Sequence, residues 1–101
     1  MWVFAMFDLP VKSKEARKRY SDFRKRLIQE GFTMLQYSVY ARYCASEDSA
    51  DGYRMRLEDI IPPKGEVRLL AVTDRQFGKM DVFRGKTPTP AEKPPEQLVF
   101  F

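Results

Sequence analysis

The chain offers few side chains for chemistry, and one of them stands apart. Its 101 residues include no histidine and one cysteine, Cys44. Imidazole catalysis and His/Cys metal cages therefore have no material to work with. Asp8 closes the apolar run Met1-Trp2-Val3-Phe4-Ala5-Met6-Phe7. A carboxylate in such a place costs free energy unless a metal, an arginine or a symmetry mate pairs with it. Asp8 is thus the candidate catalytic and metal-binding residue. The plainer alternative is that it caps the turn into the next helix. Phosphodiester hydrolysis commonly uses Mg²⁺ held by carboxylates, with waters completing the shell. One aspartate holds Mg²⁺ poorly. In a two-fold dimer, Asp8 from both subunits could share one hydrated ion, and without the ion the two carboxylates would repel. Apart from Asp74, no other acid is expected near a strand end.

The second chemical feature is charge. Residues 12 to 30 hold Lys12, Lys14, Arg17, Lys18, Arg19, Arg24, Lys25 and Arg26 against Glu15, Asp22 and Glu30. The whole chain carries +4, so this segment, at +5, accounts for all the excess. A local basic surface implies a polyanionic partner. On a helical wheel Lys14, Lys18 and Lys25 point away from the apolar stripe. Arg17 and Arg24 lie on one flank, Arg19 and Arg26 on the other. Rows at this spacing suit a phosphate array and carry no base-reading pattern, so backbone binding is expected. The alternative is a solvated helix face. Tyr37, Tyr40 and Tyr43 could stack on bases, but residues in this pattern more often form sheet core.

These residues need a frame. A strand from about Trp2 to Phe7 leads to a helix capped by Ser13 and stopped at Gly31, with Ala16, Tyr20, Phe23 and Leu27 as its buried stripe. Phe32 to Tyr43 is rich in aromatic and β-branched residues and reads as two strands divided around Gln36 to Ser38. Ser46 caps a second helix with Ala50, Tyr53, Leu57 and Ile60 on one face, and Pro62-Pro63 ends it. A strand from Glu66 to Thr73 follows, with a short one over Met80 to Phe83. The order β-α-β-β-α-β with an extra C-terminal strand is ferredoxin-like, an α+β fold. Both faces of the first strand are apolar: Val3, Ala5 and Phe7 on one, Trp2, Phe4 and Met6 on the other. The helices cover one face, and a second copy in a homodimer is the expected cover for the other. The alternative is that the C-terminal tail folds back over it.

Residues 1–84 are read as the ferredoxin-like domain. Residues 85–101 are read as a Pro-rich linker, with Pro88, Pro90, Pro94 and Pro95, and a terminal strand. Leu98, Val99, Phe100 and Phe101 form that strand, which suits assembly on another chain's sheet edge. A lone cysteine fits a reduced, cytoplasmic setting. The run Met1 to Phe7 is far too short to span a membrane and lacks the basic flank of a signal peptide.

Taken in order, several segments resemble the Cas-two family of CRISPR-associated proteins. They are the strand closing on Asp8, the basic helix ending in Glu30-Gly31-Phe32, and Gln36-Tyr37-Ser38-Val39-Tyr40. Asp8-Leu9-Pro10 and Pro62-Pro63-Lys64-Gly65-Glu66-Val67-Arg68 resemble members found in type II systems. The resemblance covers residues 1 to about 84, and the tail ending also fits. It implies a ferredoxin-like homodimer that works in spacer acquisition, set between dimers of the Cas-one integrase and bound to protospacer double-stranded DNA. It also implies a metal-dependent endonuclease on RNA or double-stranded DNA in some members, with Asp8 at the metal position. Lys14, Arg17, Lys18 and Arg19 are the nucleic-acid contacts it implies. Phe7 stands where the family often has tyrosine, which removes a hydroxyl near the metal. Two other readings are a non-catalytic nucleic-acid-binding module and a toxin-type ribonuclease of the same fold. A ligand-binding regulatory domain usually has a Gly-rich turn after strand one, and an RNA-recognition module has a Gly-Phe-Gly-Phe type motif. Neither is present.

Overall fold

The computed structural model describes residues 1–95. The strand β1 runs Trp2–Asp8, followed by α1 (Lys14–Gln29), β2 (Thr33–Gln36), β3 (Val39–Tyr43), α2 (Glu47–Glu58) and β4 (Glu66–Val72). A short helix α3 (Asp74–Gly78) and a hairpin of β5 (Val82–Arg84) and β6 (Thr87–Thr89) follow. The sheet order is β2-β3-β1-β4 with antiparallel neighbours. This is the ferredoxin-like arrangement expected from the element order. Among the described residues no helix is long and apolar enough to cross a membrane.

Local chemistry explains the boundaries. Ser13 and Ser46 each accept a backbone N–H three residues on, from Ala16 and Ser49, so each satisfies an orphan donor of its helix. Gly31, at φ +85°, lets the chain leave α1 sharply. The β2–β3 turn is Tyr37-Ser38, with Ser38 at φ +61° in the left-handed region. Serine does there what glycine or asparagine usually does. The Phe7 N–H donates to the Ser38 carbonyl at 3.1 Å, tying this turn to the end of β1.

The core lies between the sheet and the two long helices. Val3, Ala5 and Phe7 from β1 meet Phe23 and Leu27 of α1, Ala50 and Leu57 of α2, and Tyr40 of β3. The Phe7 ring packs edge-on to Phe23 and nearly parallel to Tyr40. Burying side chains of this size stabilises by about 1.5–3 kcal/mol each. Cys44 lies in the same core, and its burial raises the thiol pKa.

The other face of the sheet has a cover that the sequence reading did not foresee. Thr73 and Gln76 form a reciprocal cap that starts α3. This places Phe77 flat against Trp2, with ring centroids 4.0 Å apart. Phe4, Tyr43, Val72, Met80 and Ala91 pack around that pair. One end of the second face is therefore covered by this chain itself, Ala91 of the tail included. Leu70, directly opposite Phe4 in the β1–β4 ladder, remains 50% exposed.

The tail also departs from the expected extended linker. Thr87–Thr89 pairs with Val82–Arg84 around a two-residue turn led by Gly85, whose φ of +63° suits the first position of a type II′ turn. The extra strand is thus one half of a hairpin, and it begins two residues later than the Met80–Phe83 reading. The assembly strand expected at Leu98 to Phe101 lies outside the described residues.

Candidate functional site

Asp8 is the last residue of β1 and is exposed. Alternation along the strand puts its side chain on the same face as Trp2, Phe4 and Met6. It makes no hydrogen bond or ion pair among the described residues. Two neighbours were not anticipated. In the β1–β4 ladder Asp8 sits directly opposite Glu66, so the expectation of no other acid near a strand end except Asp74 fails. Two carboxylates directly opposite each other repel. Arg68 offsets this by an ion pair with Glu66. Met6, Phe7, Asp8, Glu66 and Arg68 line an open cleft of about 270 Å³. Sequence order hides the pair, because Glu66 opens its strand while Asp8 closes its own. Antiparallel pairing of β1 with β4 brings those ends together.

Gly65 fixes how close they come. Its φ is +93°, and a Cβ there would stand 2.7 Å from the Asp8 carbonyl oxygen and 2.8 Å from Leu9 Cδ2. Only glycine lets the start of β4 approach the end of β1 this closely. Leu9, buried in the core, anchors the chain just past Asp8.

A metal ion has one free carboxylate to meet here. Among the described residues there is no group of three or more His, Cys, Asp or Glu side chains able to hold a metal. One chain offers an ion the Asp8 carboxylate alone, because Glu66 is already paired to Arg68. A second copy would have to supply the rest.

The basic helix divides into bound and free cations. Lys14, Arg17, Lys18 and Arg19 are exposed and make no ion pair among the described residues. Arg17 donates only to the Val11 carbonyl, at 3.2 Å. Arg19 borders a groove of about 340 Å³ between α1 and residues 59–63. The outer two arginines are engaged elsewhere. Arg24 Nε donates to the Tyr40 hydroxyl at 3.0 Å, and Arg26 faces Glu30, which also holds Arg56. Of the arginines in the expected rows, Arg17 and Arg19 are thus the ones with no side-chain partner among the described residues. Asp74 pairs with the Met1 amino group.

The three tyrosines separate cleanly. Tyr40 is core at 1% exposure, and Tyr43 packs edge-on to Trp2. Tyr37 is 75% exposed and lies nearly parallel to Tyr20 of α1, centroids 6.3 Å apart. The Tyr20 hydroxyl raises the Tyr37 phenol pKa, through a hydrogen bond first and its charge second.

The frame is therefore a ferredoxin-like sheet with an exposed carboxylate at the end of β1 and a basic first helix. Residues 1–80 match the family model described as CRISPR associated protein Cas2. The chain belongs to that family. It is 50% identical over its full length, and over the full length of the relative, to a CRISPR-associated endoribonuclease Cas2 of Parvibaculum lavamentivorans. A protein of the same name from Flavobacterium psychrophilum is 41% identical across all of this chain and 88% of its own. One from Ligilactobacillus salivarius is 46% identical across 85% of each chain.

Proposed function

We propose that this protein acts in CRISPR spacer acquisition as a homodimer that binds nucleic acid by its backbone and docks the Cas-one integrase. We propose further that paired Asp8 carboxylates give it Mg²⁺-dependent endonuclease activity. The observation that carries this reading is Asp8 itself: exposed, free of partners among the described residues, and at the strand end of a chain in this family. Relatives named as endoribonucleases make RNA the first substrate to test. Double-stranded DNA bound along Lys14, Arg17, Lys18 and Arg19 is the ligand for the scaffold role.

The half-covered second face supports the pairing. Trp2 and Phe4 are occupied by Phe77 of the same chain, while Met6, Asp8 and Arg68 share the half that remains open. A second copy docking there meets the Asp8 end of the sheet. Each Asp8 would supply one ligand to a shared ion, and Mg²⁺ would contribute charge stabilisation at the phosphate. Glu66 would stay with Arg68. The segment Leu98 to Phe101 is the proposed contact for the integrase.

The test is Asp8→Asn, which keeps the shape and removes the charge. Cleavage of RNA and duplex DNA is followed with Mg²⁺ and with EDTA, beside wild type purified in parallel. The expected result is loss of EDTA-sensitive cleavage with dimerisation and DNA affinity nearly intact. Unchanged cleavage removes Asp8 as the metal ligand and leaves only the scaffold. A monomer at micromolar concentration removes the shared site.

A further inference from the structure

Among the described residues, the cleft at the end of β1 is lined by one cation. Its walls are Met6, Phe7, Asp8, Glu66 and Arg68. The basic residues of α1 belong elsewhere. That helix packs Phe23 and Leu27 against the sheet face formed by Val3, Ala5 and Phe7, and alternation puts Asp8 on the opposite face. Arg68 shares the Asp8 face. It stands opposite Met6 in the ladder, as Glu66 stands opposite Asp8. Arg68 is thus the diagonal neighbour of Asp8, a separation of about 7–8 Å that long side chains can bridge.

The Arg68 guanidinium is held but not used up. Its Nη2 meets Glu66 Oε1, and it makes no other side-chain contact of this kind among the described residues. A guanidinium carries several further N–H donors. The side chain is 74% exposed, so those donors face solvent at the cleft. A phosphodiester presented to Asp8 brings negative charge to a place that already holds two carboxylates. In hydrolysis a water oxygen bonds to phosphorus as the bond to the leaving oxygen breaks. The water gives up a proton to solvent and the leaving oxygen takes one. Negative charge meanwhile builds on the phosphate oxygens. A guanidinium already fixed beside them opposes that charge without rearranging.

We infer that Arg68 is the catalytic cation of the Asp8 site: it donates to a non-bridging oxygen of the phosphodiester, and Glu66 holds it in place to do so. The inference rests on the endonuclease activity proposed above. The plainer role, a charge that guards the β4 edge, predicts no effect on turnover.

The test compares wild type, Arg68→Ala and Arg68→Lys on a short RNA over a range of Mg²⁺ concentrations, with Asp8→Asn as the inactive reference. Arg68→Ala lowers kcat by about 10²- to 10³-fold, the range for losing one donor to a developing oxyanion, and added Mg²⁺ does not restore it. Arg68→Lys keeps the charge without the planar fork and falls between. Binding gives a readout apart from turnover. In the Asp8→Asn background, Arg68→Ala lowers the salt slope for single-stranded RNA by about 0.7, the value for one phosphate contact. Full activity of Arg68→Ala overturns the inference, and so does an unchanged salt slope. A loss of kcat that extra Mg²⁺ reverses also overturns it, because the residue then acts on the carboxylates and not on the phosphate. Dissociation of the Arg68→Ala dimer, seen by sedimentation, overturns it and assigns the side chain to the interface between copies. The two levels fail separately. Wild type without EDTA-sensitive cleavage removes the endonuclease and Arg68's role with it. Active wild type, inactive Asp8→Asn and fully active Arg68→Ala remove the role of Arg68 alone.

Discussion

Replacing Gly65 by alanine tests the geometry of the site without touching a charged residue. Two costs add at this position. An L side chain in the left-handed region costs about 1–2 kcal/mol, and φ is +93° here. The new Cβ would also stand 2.7 Å from the Asp8 carbonyl oxygen, and forcing extra atoms into a packed region costs about 1–3 kcal/mol. Gly65→Ala should therefore destabilise by about 2–5 kcal/mol. For a domain of this size each kcal/mol moves the midpoint by about 4–8 °C, so the drop is at least about 8 °C. Gly85 is the control. Its φ is +63°, but a Cβ there meets nothing within 4 Å. Gly85→Ala should cost only the backbone strain, about 1–2 kcal/mol. The difference between the two variants, read by urea denaturation followed by circular dichroism, isolates the close approach of β4 to Asp8. Equal destabilisation of both would refute the idea that this approach sets the spacing of Asp8 and Glu66.

Three further outcomes follow from the same structure. Phe77→Ala should cost about 3–5 kcal/mol, unless α3 simply detaches. Either way the fluorescence of Trp2, the only tryptophan, should shift to the red as water reaches its stacked face. Changing Arg17 and Arg19 to alanine should weaken duplex DNA binding similarly for unrelated sequences and lower the salt slope by about one for each phosphate no longer neutralised. A weakening confined to one sequence would contradict backbone recognition. Cys44 should resist alkylation in the native state and react on unfolding. Because burial raises its folded pKa, its contribution to stability is complete below the usual thiol value of about 8.5 and declines as pH rises above it. A stability profile that improves between about pH 8 and 10, across that thiol range, would contradict this sign.

Much of the frame was legible because it obeys strong local rules. Ser13, Gly31 and Ser46 mark helix ends by hydrogen-bonding logic that needs no tertiary context, and the alternation in β1 announces two buried faces. The turn at Tyr37-Ser38 fell where expected, although Ser38 gives no compositional sign of its left-handed backbone. Helix α3 escaped because five residues are too few to show a period. The spacing Thr73 to Gln76 was its one visible signal. Glu66 and Arg68 escaped for a different reason. Their meeting with Asp8 is a fact of strand order and register, and neither is written in the residues near Asp8. The fates of the three tyrosines likewise depend on which side of a turn each falls.

Among the described residues the sheet is open at both edges, and the two edges differ. Strand β2 is four residues long and irregular between Met34 and Gln36, a poor template for further pairing. Strand β4 is seven residues long, pairs with β1 without interruption, and has no second neighbour among the described residues. A long regular edge of this kind invites another chain to add a strand, in a productive complex or in an aggregate. The charges that discourage the second outcome sit at one end, on Lys64, Glu66 and Arg68, while Leu70 and Val72 continue the strand without them. Protection of that edge against pairing therefore rests on a few ionic groups along half of one strand. Raising salt screens those same groups, so high ionic strength favours pairing of this edge with another chain.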